Sequence, residues 1–177
     1  NGGWIEVIAG VMFSGKSEEL MRRVRRSLIA KRRVQVFKSH LDVRYQGLFA
    51  VGSHDGHAIE AIPVDSAAQI ALRLDPMAHV VAVDEVQFLD VGVVALANSL
   101  AMRGRRVILA GTDTDFRGEP FGPMPQLMCV AEVVDKLHAI CVLCGGPATR
   151  NQRLLNGKPA CDYSPQVMVG GAQPYEA

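Results

Sequence analysis

The sequence predicts an α/β protein with a mostly parallel sheet, followed by a small second domain. Over residues 1–110, short β-branched runs alternate with helical stretches, which is typical of parallel strands joined by crossover helices. A glycine-rich motif at residues 10–17 separates the first predicted strand from the first predicted helix. Beyond His138 the chain becomes turn-rich and holds three of its four cysteines. We therefore expect a main domain over residues 1–138 and a small domain over residues 139–177.

The elements of the main domain follow from hydrophobic periodicity. Apolar runs at residues 4–9, 34–37, 79–83 and 106–110 predict strands, the last two buried on both faces of a sheet. Leu20, Val24 and Leu28 recur every four residues and predict an amphipathic helix over residues 16–30. Shorter helices are expected at 66–74, where Ser66 can cap the N-terminus, and at 92–102. Residues 112–125 contain three prolines and three acidic side chains, which predicts an irregular loop beside a site.

Composition and charge narrow the class of protein. Apolar residues make up 49% and charged residues 21%, as in ordinary globular proteins. The net charge of +1 gives no overall field for nucleic acid or an anionic membrane. No apolar run approaches the roughly 20 residues of a membrane span, and no secretory signal is visible. We expect a cytoplasmic protein with reduced cysteines and with no nucleic-acid or membrane partner.

Residues 10–17 match the phosphate-loop pattern G-x-x-x-x-G-K-[ST] at every fixed position. Its glycines let backbone N–H groups curl around the β- and γ-phosphates. Lys16 supplies positive charge, the Ser17 hydroxyl can bind Mg²⁺, and the following helix directs its positive end to the same anions. The alternative is an incidental glycine-rich turn. Such a turn would not require the strand predicted before the motif or the helix predicted after it, so their presence favours the phosphate loop. The motif predicts binding of ATP through Gly10, Met12, Phe13, Ser14, Gly15, Lys16 and Ser17.

A second site follows the apolar strand at residues 79–83, where Asp84 and Glu85 are adjacent. Phosphate-loop sites use a carboxylate at the end of a neighbouring strand to hold the metal, usually through water. We expect Asp84 to face the magnesium and Glu85 to face an acceptor hydroxyl as general base. The alternative is an acidic pair that caps a helix.

Five motifs in order, at residues 10–20, 42–45, 84–88, 115–122 and 136–145, resemble the type II thymidine kinases, and the bacterial branch more closely. The resemblance implies a RecA-like domain, a small zinc-ribbon and lasso domain, and a homotetramer. It also implies transfer of the γ-phosphoryl of ATP to the 5′-hydroxyl of thymidine or deoxyuridine in nucleotide salvage. Thymidine triphosphate would be the feedback ligand.

The resemblance also implies roles for individual residues. Glu85 would be the general base, Asp84 a magnesium partner, and Asp42 and Arg44 would reach the acceptor's 5′ end and the phosphates. Phe116 and Phe121 would form aromatic walls and Met12 would contact the base edge, although core packing is the alternative for Met12 and Phe121. The lasso at residues 149–175 would close over thymine. The further nucleoside-binding candidates are Gln87, Thr112, Asn151, Val169, Gly170 and Tyr175.

Three positions depart from the family pattern around the base. Thr112 stands where some members carry leucine, Asn151 where threonine is frequent, and Val43 where a polar residue is usual. The fit around the base therefore stays open at this stage.

Cys141 and Cys144 have the Cys-x-x-Cys spacing of a structural Zn²⁺ knuckle, which needs four ligands. The family supplies the other two just beyond the residues Tyr-Glu-Ala at which this sequence stops, so we expect the small domain to be truncated. Cys161 is a distant candidate ligand, and a redox pair is the alternative for Cys141 and Cys144.

Two other classes of function compete with the kinase. One is a RecA-like ATPase acting on nucleic acid, and the other is a zinc-ribbon interaction protein whose phosphate loop is vestigial. A cluster of cations could suggest nucleic-acid contact, but a solvated or inter-subunit helix face is favoured because no aromatic residues are interleaved. Its members are Arg22, Arg23, Arg25, Arg26, Lys31, Arg32 and Arg33.

Overall fold

The structure is a computed structural model that describes residues 2–39, 51–52, 58–161, 163–166 and 175–177. In chain order the elements of the main body are β1 (Trp4–Gly10), α1 (Lys16–Ile29), β2 (Val34–Ser39), β3 (Val51–Gly52), β4 (Ala58–Ile59), β5 (Ile62–Val64), α2 (Ala67–Leu72), β6 (Val80–Asp84), a 3-10 turn (Val86–Phe88), α3 (Gly92–Met102), β7 (Arg106–Thr112), α4 (Met124–Val130) and β8 (Val133–Leu137). Five short strands follow: β9 (Ala139–Ile140), β10 (Pro147–Ala148), β11 (Gln152–Leu155), β12 (Lys158–Pro159) and β13 (Tyr175–Glu176).

The centre of the molecule is a six-stranded sheet in the order β5-β2-β6-β7-β1-β8. Every neighbouring pair in this sheet is parallel, which confirms the predicted fold class. β7 lies between β1 and β6, so the carboxyl ends of these three strands share one edge of the sheet. In open parallel sheets that edge is where ligands bind.

The sheet is covered on both faces, and this explains the apolar strands. Val7 and Ala9 belong to a core cluster that also contains residues of α2, α3 and α4. Ile8, between them, belongs to the opposite cluster, where Leu20 and Val24 of α1 are fully buried. Successive residues of β1 therefore face opposite sides of the sheet, as expected for the two-residue period of a strand. The apolar residues of α1 recur every four positions because one side of the helix faces the sheet.

Two strands of the central sheet and one helix packed on it, β5, β8 and α4, were not predicted. β5 has three residues and lies at one edge of the sheet, and β8 lies at the other edge. The side chains of Val133 and Val134 in β8 are 42% and 39% exposed, so this strand lacks a buried apolar pattern. α4 begins at Met124, within the predicted loop, and a proline in its first turn is compatible with a helix start.

Part of the basic cluster is neutralised by ion pairs. Arg23 is 9% exposed and donates to Glu6 at 2.8 Å, Glu19 at 2.8 Å and Asp135 at 2.6 Å. Arg22 pairs with Glu19 at 2.6 Å on the helix surface. The pairs of Arg23 with Glu6 and Asp135 tie α1 to β1 and β8, an intramolecular role that differs from the solvated or inter-subunit face expected from the sequence.

Five short strands follow β8, and two of them, β9 and β10, pack against the phosphate loop. β9 pairs with β10, and β11 pairs with both β12 and β13, all antiparallel. Ala139 and Ala148 bury Val11 of the phosphate loop in a small apolar cluster. None of the helices among the described residues is long and apolar enough to cross a membrane.

Candidate active site

The phosphate loop closes on itself between β1 and α1. Gly10 has φ of 149°, and a Cβ there would lie 2.4 Å from the carbonyl oxygen of Leu137, so only glycine fits. Ser14 Oγ and Lys16 Nζ both donate to the carbonyl oxygen of Val11, each at 2.7 Å. The Phe13 side chain is 68% exposed, so this residue can serve a phosphate only through its backbone.

Lys16 lies in a buried, acidic environment. Lys16 is the first residue of α1 and is 9% exposed. Burial lowers the pKa of the Lys16 ammonium, and the carboxylates of Glu85, Asp84 and Asp113 oppose that shift. A cation that is desolvated and aimed into the loop interacts strongly with an incoming phosphate, because little water screens it.

Asp84 ends β6 beside the start of α1. Ser17 Oγ donates to Asp84 Oδ2 at 2.9 Å, and the Glu85 N–H donates to Asp84 Oδ1 at 2.9 Å. The residue is 4% exposed, and burial raises the pKa of the Asp84 carboxyl while Ser17, Lys38 and Lys16 act against that shift. The structure thus brings together the two residues, Ser17 and Asp84, predicted to hold magnesium.

Glu85 has a left-handed backbone, with φ of 55° and ψ of 39°, between β6 and the 3-10 turn. Non-glycine residues adopt this conformation rarely, and it is common at functional sites. Gln87 Nε2 donates to Glu85 Oε2 at 2.5 Å. The Glu85 carboxylate is close enough to Lys16 for their charges to interact, as is that of Asp84.

Aromatic side chains lie next to this edge of the sheet. Phe121 makes an edge-to-face contact with Phe88, with ring centroids 5.6 Å apart. Phe116 lies under two guanidinium groups, those of Arg153 at 4.1 Å and Arg117 at 5.4 Å from its centroid. Phe88 was not named from the sequence, although it closes the motif at residues 84–88 and its position there was the available signal.

Asn151 joins the phosphate loop to the segment after β7. Its Oδ1 accepts from the Met12 N–H at 2.8 Å, and its Nδ2 donates to the Thr114 carbonyl at 2.9 Å. The residue is 5% exposed. Sequence reasoning placed Asn151 against the nucleoside, whereas the structure adds a backbone clamp that fixes Met12 relative to Thr114.

Arg153, which sequence reasoning missed, organises the small C-terminal region. It is 1% exposed and donates to the Tyr175 hydroxyl at 2.7 Å, the Pro165 carbonyl at 2.6 Å and the Gln166 carbonyl at 2.8 Å. Gln166 in turn donates to Asp115 Oδ2 at 3.0 Å, next to Phe116. Nothing in the sequence distinguishes this arginine from a surface cation, because its partners are mostly backbone carbonyls of distant segments.

Several predicted site residues fall outside the described residues. They are Asp42, Arg44, Val169 and Gly170. Val43, the third departure from the family pattern, falls there as well.

Cys141 and Cys144 form a turn of the kind that a zinc knuckle requires. The N–H groups of Cys144 and Leu143, with the Cys144 thiol, hold the pKa of the Cys141 thiol below its usual range. A lowered pKa favours the thiolate, which is the form of cysteine that binds zinc. Cys161 is exposed, and within the described ranges no three potential ligands come together.

These features define a class of protein: a phosphate-loop nucleotide-binding protein with a parallel α/β sheet. The flagellar accessory protein FlaH from Methanocaldococcus jannaschii has a similar fold, with a TM-score of 0.58 and 13% identity over 82% of this chain and 75% of that chain. A structure described as an ATPase has a TM-score of 0.49 and 17% identity over 86% of this chain and 74% of that chain.

A sequence model of the thymidine kinase family matches residues 3–177. The chain belongs to the thymidine kinase family, and this confirms that its motifs resemble those of thymidine kinases. Its activity is that of the family, the phosphorylation of thymidine by ATP.

Proposed function

We propose that the site transfers the γ-phosphoryl of ATP to the 5′-hydroxyl of thymidine or deoxyuridine, with Glu85 as general base. The observation that supports the proposal best is the convergence of three groups at one edge of the sheet. Lys16 follows β1, Asp84 ends β6 and Glu85 follows it, and Ser17 Oγ lies 2.9 Å from Asp84 Oδ2. Donor and acceptor chemistry can therefore meet there.

On the donor side, the phosphate loop from Gly10 to Ser17 would cradle the triphosphate, with Arg44 as a further cation. Lys16 would leave the Val11 carbonyl, to which it now donates at 2.7 Å, and bind the β- and γ-phosphates. Ser17 and Asp84 offer the oxygen ligands that Mg²⁺ prefers, directly or through water. The metal supplies charge neutralisation at the phosphates, and it arrives with ATP.

On the acceptor side, Glu85 would take the proton from the 5′-hydroxyl. That oxygen then bonds to the γ-phosphorus, the bond from the γ-phosphorus to the bridging oxygen breaks, and ADP leaves with the electron pair. Thr112 ends β7, the strand between those that lead to Lys16 and Glu85. An acceptor at this edge is therefore within reach of both.

The thymine ring would lie among apolar side chains. Phe121 and Phe88, in edge-to-face contact, present a rigid apolar surface, and Phe116 is held by Arg153. Aromatic faces and the Met12 thioether suit a planar, methylated base. The remaining nucleoside contacts in the proposal are Asp42, Arg44, Gln87, Thr112, Asn151, Val169, Gly170 and Tyr175.

Further parts of the proposal concern organisation and control. A division into domains at residues 138 and 139 is supported by the end of the main sheet at Leu137. Cys141 and Cys144 would supply two ligands to a structural Zn²⁺. A homotetramer, feedback by thymidine triphosphate and a cytoplasmic location complete the proposal by resemblance to the family.

A coupled assay of ADP release tests the function. With ATP and Mg²⁺, ADP should form in step with added thymidine or deoxyuridine and stay at background with deoxyadenosine and deoxyguanosine. We expect this discrimination because purines are larger than pyrimidines, and a pocket that fits thymine would have no room for them. ADP release that ignores nucleosides but rises with single-stranded DNA would contradict the kinase and favour an ATPase acting on nucleic acid.

Arg153→Met is expected to raise KM for thymidine by about 10-fold while KM for ATP changes little. The substitution removes the hydrogen bonds to Tyr175, Pro165 and Gln166, so the segment that carries Tyr175 loses its anchor. Steady-state kinetics with each substrate varied in turn measures the two KM values separately and checks this difference.

The matched control is Arg103→Met, at the exposed C-terminal end of α3 and at the sheet edge opposite the site. It should leave both KM values unchanged. Equal increases in the two KM values of Arg153→Met would show general loss of structure and contradict a role on the acceptor side.

A further inference from the structure

Gln87 is a buried amide that bridges the proposed general base and the proposed acceptor pocket. The residue is 4% exposed. Its Nε2 lies 2.5 Å from Glu85 Oε2, and its Oε1 lies 3.1 Å from the backbone nitrogen of Thr112. The side chain therefore connects the turn after β6 to the end of β7.

The chemistry of the two contacts determines which way the amide faces. A backbone N–H can only donate, so the atom opposite Thr112 must be the amide oxygen. The amide NH₂ then faces Glu85, whose carboxylate accepts. Both ends of the amide are matched only in this orientation, and a flipped amide would break both hydrogen bonds.

The surroundings leave the amide no room to move. A Cβ built on Gly111 would lie 3.0 Å from Gln87 Oε1, 2.9 Å from Val86 Cγ1 and 2.7 Å from Met124 Sδ. The absence of a side chain at Gly111 thus makes the space that the amide occupies. The turn itself is closed by hydrogen bonds from Phe88 N to Glu85 O and from Leu89 N to Val86 O, at 3.2 Å and 3.0 Å.

We propose that Gln87 is a positioning residue that holds the Glu85 carboxylate at a fixed distance from Thr112, and so from the acceptor hydroxyl. The inference rests on the proposed role of Glu85 as general base, and it gives Gln87 a role through Glu85 besides its proposed contact with the nucleoside. A glutamate side chain has several rotamers, and a carboxylate that samples them is in line with the acceptor only part of the time. A displacement of about 1 Å in such a group can slow turnover by roughly 100-fold.

A double-mutant cycle separates positioning from general structure. Gln87→Met has similar length and volume but cannot donate to Glu85 or accept from Thr112. In the wild-type background it should lower kcat by about 10- to 100-fold, with KM for ATP unchanged. In a Glu85→Gln background the same change should cost less than about 2-fold, because the carboxylate that it positions is gone.

A second variant isolates the contact with Glu85. Gln87→Glu keeps an oxygen that accepts from Thr112 but places an acceptor against the Glu85 carboxylate, so it should lower kcat as much as Gln87→Met or more. If Gln87→Met does not fold, Gln87→Glu alone tests whether Gln87 positions the Glu85 carboxylate. The controls are Gln126→Met and Gln126→Glu, at an exposed position of α4, which should leave kcat and both KM values unchanged.

The outcomes distinguish the two proposals. If Glu85→Gln turns over at the wild-type rate, Glu85 is not the base, and the proposed mechanism and this inference both fail. If Glu85→Gln is slow, the role of Glu85 as general base stands. The positioning role of Gln87 alone then fails if the Gln87 variants lower kcat by the same factor in both backgrounds, or if they raise KM for thymidine with kcat unchanged. A loss of kcat that disappears in the Glu85→Gln background supports it.

Discussion

Lys16→Met is expected to reduce phosphorylation of thymidine by about 1,000-fold or more in kcat/KM, a loss of about 4 kcal/mol in transition-state stabilisation. The substitution keeps most of the apolar stem and removes only the ammonium. That group is 9% exposed and lies inside the loop, 2.7 Å from the Val11 carbonyl. No other cation among the described residues shares this position at the start of α1.

The electrostatics explain why the effect should be large. Four carboxylates, those of Glu85, Asp84, Asp113 and Glu18, act on Lys16. Without the lysine, the triphosphate would approach an edge of the sheet with uncompensated negative charge. The variant should therefore lose affinity for ATP as well as turnover.

Equilibrium binding of ATP and the coupled ADP assay together check this expectation. Lys158→Met makes the same chemical change at an exposed position in β12 and should retain full activity. Near-normal kcat/KM in Lys16→Met, in a folded protein, would contradict the assignment of residues 10–17 as the donor site.

Glu85→Gln is expected to lower kcat by roughly 100-fold or more while ATP binding stays near normal. The amide has the same size as the carboxylate but cannot accept the proton of the 5′-hydroxyl. Gln87 would still lie next to position 85, and the left-handed backbone is available to glutamine as to glutamate, so the fold should be retained.

Single-turnover kinetics, with enzyme in excess over thymidine and with saturating ATP, measures this step without product release. Glu60→Gln, at an exposed position before β5, is the matched control and should turn over normally. A Glu85→Gln enzyme that phosphorylates thymidine at the wild-type rate would remove Glu85 from the chemistry.

The sequence was most informative where function depends on neighbours in the chain. The phosphate loop needs glycines, a lysine and a serine at set spacings between one strand and one helix, and the structure has β1 and α1 on either side of it. Strands predicted at 79–83 and 106–110 appear as β6 and β7 because a parallel sheet buried on both faces requires continuous apolar runs. The edge strands β5 and β8 escaped prediction because only one side of each is paired in the sheet.

Contacts that join distant segments of the chain could not be predicted in the same way. Phe88 contacts Phe121, and Asn151 hydrogen-bonds to Met12 and Thr114, through contacts that join distant segments. Arg153 binds carbonyl groups and one hydroxyl, and any segment of chain could offer those partners. Such contacts have no sequence spacing to detect.

The sequence by itself determined the class of sheet, and it predicted the donor loop and the carboxylates beside it, because phosphate binding is encoded by local backbone geometry and by charge at the ends of strands. Only the tertiary structure decided how those carboxylates are held. The order β6-β7-β1 places Thr112 beside the turn that carries Glu85, and Gln87 then spans the gap between them. A hydrogen bond between strands that are adjacent in space depends on strand order, which periodicity along the chain does not specify.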